Sequence, residues 1–298
     1  MLPGRVSGGF SFRITTMGAM TIAIDRQRRA EALRALHARA GVFVIPNPWD
    51  AGTARLLAMA GFEALATTSA GCAWALGLPD NRITREQAIA HVRAIAEATA
   101  LPVSADLENG FGDDPESAAS TIRLAAEAGA AGGSIEDTNT RNARPQYEFG
   151  LAVERVRAAA EAAHALDVPF TLTARAENFL AGNPDLGDTI RRLQAYQDAG
   201  ADVLYAPGLT SREQIVEILR SIDRPLNVLM GSPALPLSVA ELGALGVRRI
   251  SVGSSLTRAA LGAFERAVEE IRSQGTFGFG ADAVPYPVIN GKFASELP

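Results

Sequence analysis

Four scarcities in the 298-residue chain exclude whole classes of chemistry before any motif is read. Cys72 is the only cysteine, so an intrachain disulfide or a cysteine metal cluster is ruled out, and a reducing, cytoplasmic setting is expected. Lys292, in the tail, is the only lysine among 28 basic side chains. Schiff-base chemistry needs a desolvated lysine on the scaffold, so lysine-dependent aldol or pyridoxal reactions are not expected. The three histidines, His37, His91 and His164, fall inside helical periodicity and are expected at solvated helix positions, not in a metal pair or a hydrolytic triad. No apolar run approaches the roughly 18 residues that span a bilayer. A formal charge of −5 argues against a nucleic-acid partner.

What is present is an alternation. Short β-rich runs at Val42–Pro46, Ala64–Thr68, Val103–Leu107, Gly132–Glu136, Phe170–Arg175, Val203–Ala206, Leu226–Met230 and Arg249–Val252 are separated by Ala-, Leu- and Arg-rich helical stretches. Eight such units predict a parallel sheet closed as a (β/α)8 TIM barrel. Gly61, Gly129, Gly200 and Gly246 are expected to stop helices before the even-numbered strands, and Pro102, Pro169 and Pro225 before three of the odd-numbered ones. Thr84 with Gln87 reads as a capping box, Asp114-Pro115 as an N-cap with proline at the first helical position, and Asp50 as another N-cap. Residues 26–298 are therefore expected to form one domain. Residues 1–25, rich in Gly, Ser, Thr and Met without a continuous apolar core, are expected to be a poorly ordered extension, with Met17 or Met20 as an alternative start.

Catalytic groups of such barrels stand where strands run into their following loops. The third strand ends in Asp106-Leu107-Glu108-Asn109-Gly110-Phe111-Gly112, the fourth in Glu136-Asp137, and the fifth in Arg175-Ala176-Glu177. Asp106 and Glu108, two apart, are expected to point the same way on an extended segment. Converging carboxylates of this kind suit a hard divalent cation held by oxygen, partly through water, as Mg2+ prefers, with Mn2+ also accepted. The plainer reading is helix capping or pairing with the many arginines, and Asp137 alone fits it best. Thr68-Ser69-Ala70 after the second strand offers hydroxyls and close amides to an anion. Ser254, after the eighth, offers a weaker helix-start site of the phosphate-binding type. Cys72 reads as buried packing.

Taken in order, Asn47-Pro48-Trp49-Asp50, Ala60-Gly61-Phe62-Glu63-Ala64, Leu76-Gly77-Leu78-Pro79-Asp80, Asp106 to Gly112, Ile135-Glu136-Asp137 and Ala174-Arg175 make the chain resemble the isocitrate lyase/phosphoenolpyruvate mutase superfamily over nearly its whole length. The resemblance implies a Mg2+-dependent enzyme that makes or breaks a C–C or P–C bond beside a 2-oxo acid. By that resemblance Asp106 and Glu108 anchor the metal, Glu136 holds metal-bound water and Asp80 belongs to the same outer shell. Thr68, Ser69 and Ala70 grip the substrate carboxylate, and Arg175 binds substrate oxygens beside a pyruvate-like enolate. The superfamily more often has Asp at the position of Glu108, which lengthens one ligand here.

The departures narrow the reading. The lyase branch has a Lys-x-Cys-Gly-His loop after the fourth strand, where this chain has Asp137-Thr138-Asn139-Thr140-Arg141-Asn142-Ala143-Arg144. A true isocitrate or 2-methylisocitrate lyase is thus not expected. The mutase branch's loop lysine is also missing, with Asn139, Asn142 and Arg141 as possible substitutes. Proton transfer is left to Tyr205, a carboxylate or metal-bound water. Three functions follow: a C–C lyase or decarboxylase on a small 2-oxo or 2-hydroxy acid; a phosphonomutase or phosphonopyruvate hydrolase, for which Arg141 and Arg144 are the loop cations; and a 2-oxo-acid-binding barrel with little turnover. The resemblance also implies a homo-oligomer, dimer or tetramer, that exchanges its last helix, with Phe277, Phe279, Tyr286 and Phe293 in the tail to dock it. A small carboxylate is the expected partner, with no nucleic acid and no membrane.

Overall fold

The computed structural model describes residues 11–140 and 145–294. In chain order these form α1 (Ser11–Ala38), β1 (Phe43–Ile45), α2 (Ala51–Met59), β2 (Leu65–Ala66), α3 (Ser69–Ala75), α4 (Arg85–Glu97), β3 (Val103–Asp106) and α5 (Pro115–Glu127). There follow β4 (Gly132–Glu136), α6 (Phe149–His164), β5 (Thr171–Arg175), α7 (Leu186–Asp198), β6 (Val203–Tyr205) and α8 (Arg212–Ser221). The chain ends with β7 (Leu226–Leu229), α9 (Val239–Leu245), β8 (Arg249–Ser251), α10 (Ser255–Gln274), a short 3-10 turn and α11 (Tyr286–Ala294). Every predicted strand is present, shortened by up to three residues at its ends. Helix α1 crosses the boundary expected at Arg26. No helix of the described residues is long and apolar enough to cross a membrane.

All ladders are parallel, in the order β1-β8-β7-β6-β5-β4-β3-β2. The barrel is nearly closed, and Asn47 bridges the seam. Ala66 N donates to Pro46 O at 3.0 Å, and Asn47 Nδ2 donates to Thr67 O at 2.9 Å. Asn47 Oδ1 in turn accepts from Val252 N and Gly253 N, each at 2.9 Å. One buried amide thereby joins the ends of β1, β2 and β8. The helix stops are as predicted: Gly61, Gly129, Gly200 and Gly246 have φ between 85° and 106°, where a Cβ would be strained. Thr84 with Gln87 forms the predicted capping box, and Asp50 and Asp114 cap α2 and α5.

The two faces of each strand bury different chemistry, as the two-residue period dictates. Outward residues such as Ile135, Leu172, Leu204, Val228 and Ile250 pack under the helices. Alanines of α5 and α6 (Ala118, Ala125, Ala159, Ala163) bring those helices close over β4 and β5. The inward residues are polar where barrels of this class commonly hold bulky aliphatics. Ser104, Thr173, Asn227, Arg249 and Ser251 are all buried, and the polar interior leaves room for a site.

The histidines correct an expectation. His37 is buried with Nδ1 2.8 Å from Leu33 O, and burial followed by the charge of Arg249 lowers its pKa to about 3. His91 is half-buried against Trp49 O at 3.0 Å, and burial lowers its pKa too. Only His164 is solvated. The helical period placed these residues on helices, but the face that each turns inward is decided by what packs against it.

Helix α10 has one buried residue, Thr257, while Leu256, Leu261, Phe264, Val268 and Ile271 are exposed. Of the tail aromatics, Phe293 packs at home, 5.4 Å from the Arg55 guanidinium, whereas Phe277, Phe279 and Tyr286 are exposed.

A prediction attaches to His37. Its folded pKa lies below its unfolded one, so its contribution to stability is full above pH 6.5 and is lost as pH falls toward 3. Urea titrations across that window will show His37→Phe losing less stability on acidification than the wild type, by up to about 1.4 kcal/mol per pH unit for the one proton involved.

Candidate active site at the strand ends

Strands β3, β4 and β5 end side by side and deliver Asp106, Glu136 and Arg175 to one cavity of about 270 Å³. The Arg175 guanidinium organises it. Nη1 lies 3.0 Å from Asp106 Oδ1 and 3.1 Å from Glu136 Oε2, and Nε lies 2.8 Å from Glu177 Oε1. Its far face rests on the Tyr205 ring, 5.1 Å from the centroid. Asp106 is fixed from the other side by Ser69, whose backbone N and Oγ both donate to Oδ2 at 3.0 Å. Thr138 Oγ1 donates to Glu136 Oε1 at 2.8 Å.

The predicted anion loop therefore does something different from free anion capture. Thr68 caps α3, accepting from Gly71 N, and Ser69 holds Asp106. Gly71 must be glycine, because a Cβ there would stand 2.7 Å from Thr68 Cγ2 and 2.8 Å from Trp49 Cβ. Thr68, Ser69 and Ala70 nonetheless line the cavity, as do Asp80 at its rim and Gly253 with Ser254 beyond β8. The Gly253 amide is already taken by Asn47.

Asp106 and Glu108 do not converge as expected. β3 ends at Asp106, and Glu108 has φ 47°, so the alternation of an extended strand stops before it reaches Glu108. Glu108 is buried and opens on a second cavity of about 130 Å³ with Asn109, Asp113 and Thr138, while Asp106 faces the first. Glu136 lines both, together with Asn81, Thr138 and Thr140. Asp137 also parts from its neighbour. It turns into the wall, where Oδ2 accepts from Tyr196 Oη at 2.6 Å and Arg192 Nη1 at 3.0 Å, and Oδ1 accepts from Glu177 N at 2.8 Å. The loop after β3 is held by buried Arg155 of α6, which donates to Asn109 O, Gly112 O and Asp114 O. Arg141, Asn142 and Arg144 lie outside the described residues.

Crowding of negative charge marks the cavity. Burial, with Asp106 and Asp137 adding to it, pushes the Glu136 carboxyl up despite Arg175. Burial and the charges of Glu136 and Asp137 push Glu177 to about 8 against the pull of Arg175. Asp80 is exposed on its outer side, yet the protein crowding it, and then Asp106, raise it as well. Burial lifts Tyr205 to about 12 and Cys72 to about 11, so both keep their protons at neutral pH. At the mouth Asp80, Asp106 and Glu136 outnumber the Arg175 guanidinium, and hard oxygen donors in surplus fit a divalent cation. No three His, Cys, Asp or Glu side chains among the described residues are grouped to ligate a metal together. Such a cation would keep much of its water, which is the habit of Mg2+.

Glu177, expected at the mouth as a strand-end carboxylate but given no role, and Arg249, not singled out at all, both line the cavity. The signal for Glu177 was its spacing of two from Arg175; for Arg249 it was an arginine inside a run expected to be buried.

The fold and site define a nearly closed, TIM-barrel-like α/β protein with an acidic, arginine-centred mouth. Residues 33–272 match the phosphoenolpyruvate phosphomutase family, and the chain belongs to the phosphoenolpyruvate mutase/isocitrate lyase superfamily. It is 31% identical over 269 residues to "Probable 2-methylisocitrate lyase 2" of Corynebacterium glutamicum, covering 87% of this chain and 85% of that one. A Burkholderia cenocepacia J2315 protein, described only provisionally as a lyase/mutase, has a crystal structure that superposes with a TM-score of 0.90 at 60% identity, covering 91% and 98% of the two chains. Phosphonopyruvate hydrolase, crystallised with oxalate and Mg2+, superposes with a TM-score of 0.78 at 25% identity over 90% and 96%.

Two tests follow. Asp137→Ala leaves the buried Tyr196 hydroxyl, the Glu177 amide and part of Arg192 without an acceptor, and urea denaturation should show a loss of about 3–5 kcal/mol. For Glu177 the folded pKa exceeds the unfolded one, so its contribution is full below pH 4.5 and is lost as pH climbs through about 8. In EDTA, Glu177→Gln should flatten the fall in stability between those limits; a slope equal to the wild type's would refute the assignment.

Proposed function

We propose that this protein is a Mg2+-dependent carbon–carbon lyase that cleaves a small 2-oxo or 2-hydroxy carboxylate through a pyruvate-type enolate. The observation that carries the reading is the Arg175 guanidinium, clamped by Asp106, Glu136 and Glu177 and facing a cavity of the size of a small acid. Superfamily membership supports the reaction type.

Each residue has a part. Arg175 neutralises developing charge on the substrate's oxygens from a position that needs no rearrangement. Thr68, Ser69 and Ala70 orient the substrate carboxylate, and Ser69 also keeps Asp106 in place. Asp106 and Glu136 would hold the cation, mostly through water, with Asp80 and, on the far side of Glu136, Glu108 in the surrounding shell. A divalent ion there, Mg2+ or Mn2+, supplies Lewis-acid charge stabilisation to the substrate's oxygens. The Glu177 carboxyl, protonated at neutral pH, and the Tyr205 hydroxyl are the proton donors that face the cavity. Both suit a bond cleavage that generates an enolate in need of one proton.

The loop after β4 has no cysteine, and Cys72 is buried with its thiol proton firmly held, so the acid–base scheme of a true isocitrate or 2-methylisocitrate lyase does not apply. The P–C reading keeps a place because of the likeness to phosphonopyruvate hydrolase. The bare apolar face of α10 fits a homo-oligomer in which that helix packs on a partner.

A proton and phosphorus NMR time course tests the reading. The panel is oxaloacetate, 2-methylisocitrate, citramalate, dimethylmalate, phosphonopyruvate and phosphoenolpyruvate, with Mg2+ and with EDTA. Mg2+-dependent release of pyruvate or acetate-type products without a new phosphorus signal is expected. A new phosphorus signal would move the protein to the P–C branch, turnover in EDTA would remove the metal, and binding without product would make it a 2-oxo-acid-binding barrel. Arg175→Lys should lower kcat by at least about 100-fold, since one fixed donor to a developing oxyanion is worth that much. Light scattering should find a dimer or tetramer, broken by Phe264→Glu on α10.

A further inference from the structure

β8 begins with Arg249, and the alternation of the strand turns this side chain into the barrel beneath Ser251 and Gly253. It is 4% exposed. Nη1 donates to Thr173 Oγ1 at 3.1 Å, Nη2 reaches Ser104 Oγ only at 3.5 Å, and Nε has no acceptor. Both acceptors are neutral hydroxyls. Among the described residues no carboxylate lies within ion-pair distance of Arg249, whereas Arg175 in the same cavity has three. Burial brings its pKa down to about 10, with Tyr205 opposing, so it is still a cation at neutral pH. Asn227, opposite Arg249 in register, donates to Ser251 Oγ and has a buried Oδ1 without a partner.

A desolvated charge with no counter-ion opposes folding, and removing it for an apolar side chain of similar volume is often neutral or stabilising. Such a group is useful where a ligand brings the missing charge. Thr173, to which Arg249 bonds, stands two residues below Arg175 on the same face of β5, about 6.6 Å along the strand. The cavity thus has a neutralised guanidinium at its mouth and an unneutralised one at its floor. A ligand that reaches both depths of the cavity meets a cation at each end, which suits an acid with two carboxylates.

We propose that Arg249 is a specificity-determining residue that binds the second carboxylate of a small dicarboxylate standing along the barrel axis, the first being held at the mouth. The proposal deepens the lyase reading and rests on this cavity being its site. The protein takes a diacid in preference to a monoacid of equal length because only the diacid supplies the floor with a counter-charge.

The test is calorimetric titration, in Mg2+, of succinate and butyrate into the wild type, Arg249→Met and Arg249→Lys. Succinate should bind the wild type at least about 10-fold tighter than butyrate, as one charge-assisted pair implies. Arg249→Met should abolish that preference with butyrate affinity unchanged, and should melt no lower than the wild type. Arg249→Lys, which keeps the charge, should retain part of the preference. An unchanged preference in Arg249→Met, or a wild type that binds both acids equally or neither at millimolar concentration, overturns the proposal. The two ideas fail separately: a preference lost in Arg249→Met with no turnover on any substrate refutes the lyase, while turnover with the preference intact refutes only the role of Arg249.

Discussion

The arrangement of the mouth depends on one guanidinium. Arg175 is the shared counter-ion of Asp106, Glu136 and Glu177, which come from three adjacent strand ends. Without it three crowded carboxylates would repel one another, and burial already raises two of them. With it they are held at fixed positions around a cavity that faces solvent. The clamp also stores the site's chemistry, because carboxylates crowded beyond what one cation can neutralise invite a second cation and hold protons at neutral pH.

The supports of that clamp lie farther out. Asp137 turns away from the cavity, yet it fixes the Glu177 backbone and joins α7 to β4 through Arg192 and Tyr196. Asn47 closes the seam between β1 and β2 and fixes the amides after β8. Arg155 binds the carbonyls of the loop after β3. Each is a buried polar side chain that bonds to backbone at or just after a strand end, so each ties packing to loop geometry. Stability and site geometry are therefore linked: variants of these residues act on activity through position and not through contact with substrate.

Much of this was legible in the sequence because its signals are local. The glycine stops, the capping box at Thr84 and the N-caps at Asp50 and Asp114 depend on a few consecutive residues, and all took the form expected. The strands were legible because β-branched runs alternate with helical ones at nearly constant length. Asp106, Glu136 and Arg175 were legible as strand-end residues, since a parallel barrel sends all its strand ends to one face.

Direction and depth were not legible. The rule that residues two apart share a face failed at Glu108 because the strand stops at Asp106, and a left-handed residue then sends its carboxylate to another cavity. The helical period could not say that His37 faces the barrel, nor that Ser69 holds Asp106 across 37 residues of chain. Nor could it show that Arg249 has no carboxylate within ion-pair distance among the described residues. The sequence by itself determined which elements form, where they stop and which strand ends carry charge, because propensity, capping and periodicity act within a few residues. Only the tertiary structure decided which charges meet and which are left alone, because burial and Coulomb interactions depend on distances between strands far apart in the chain.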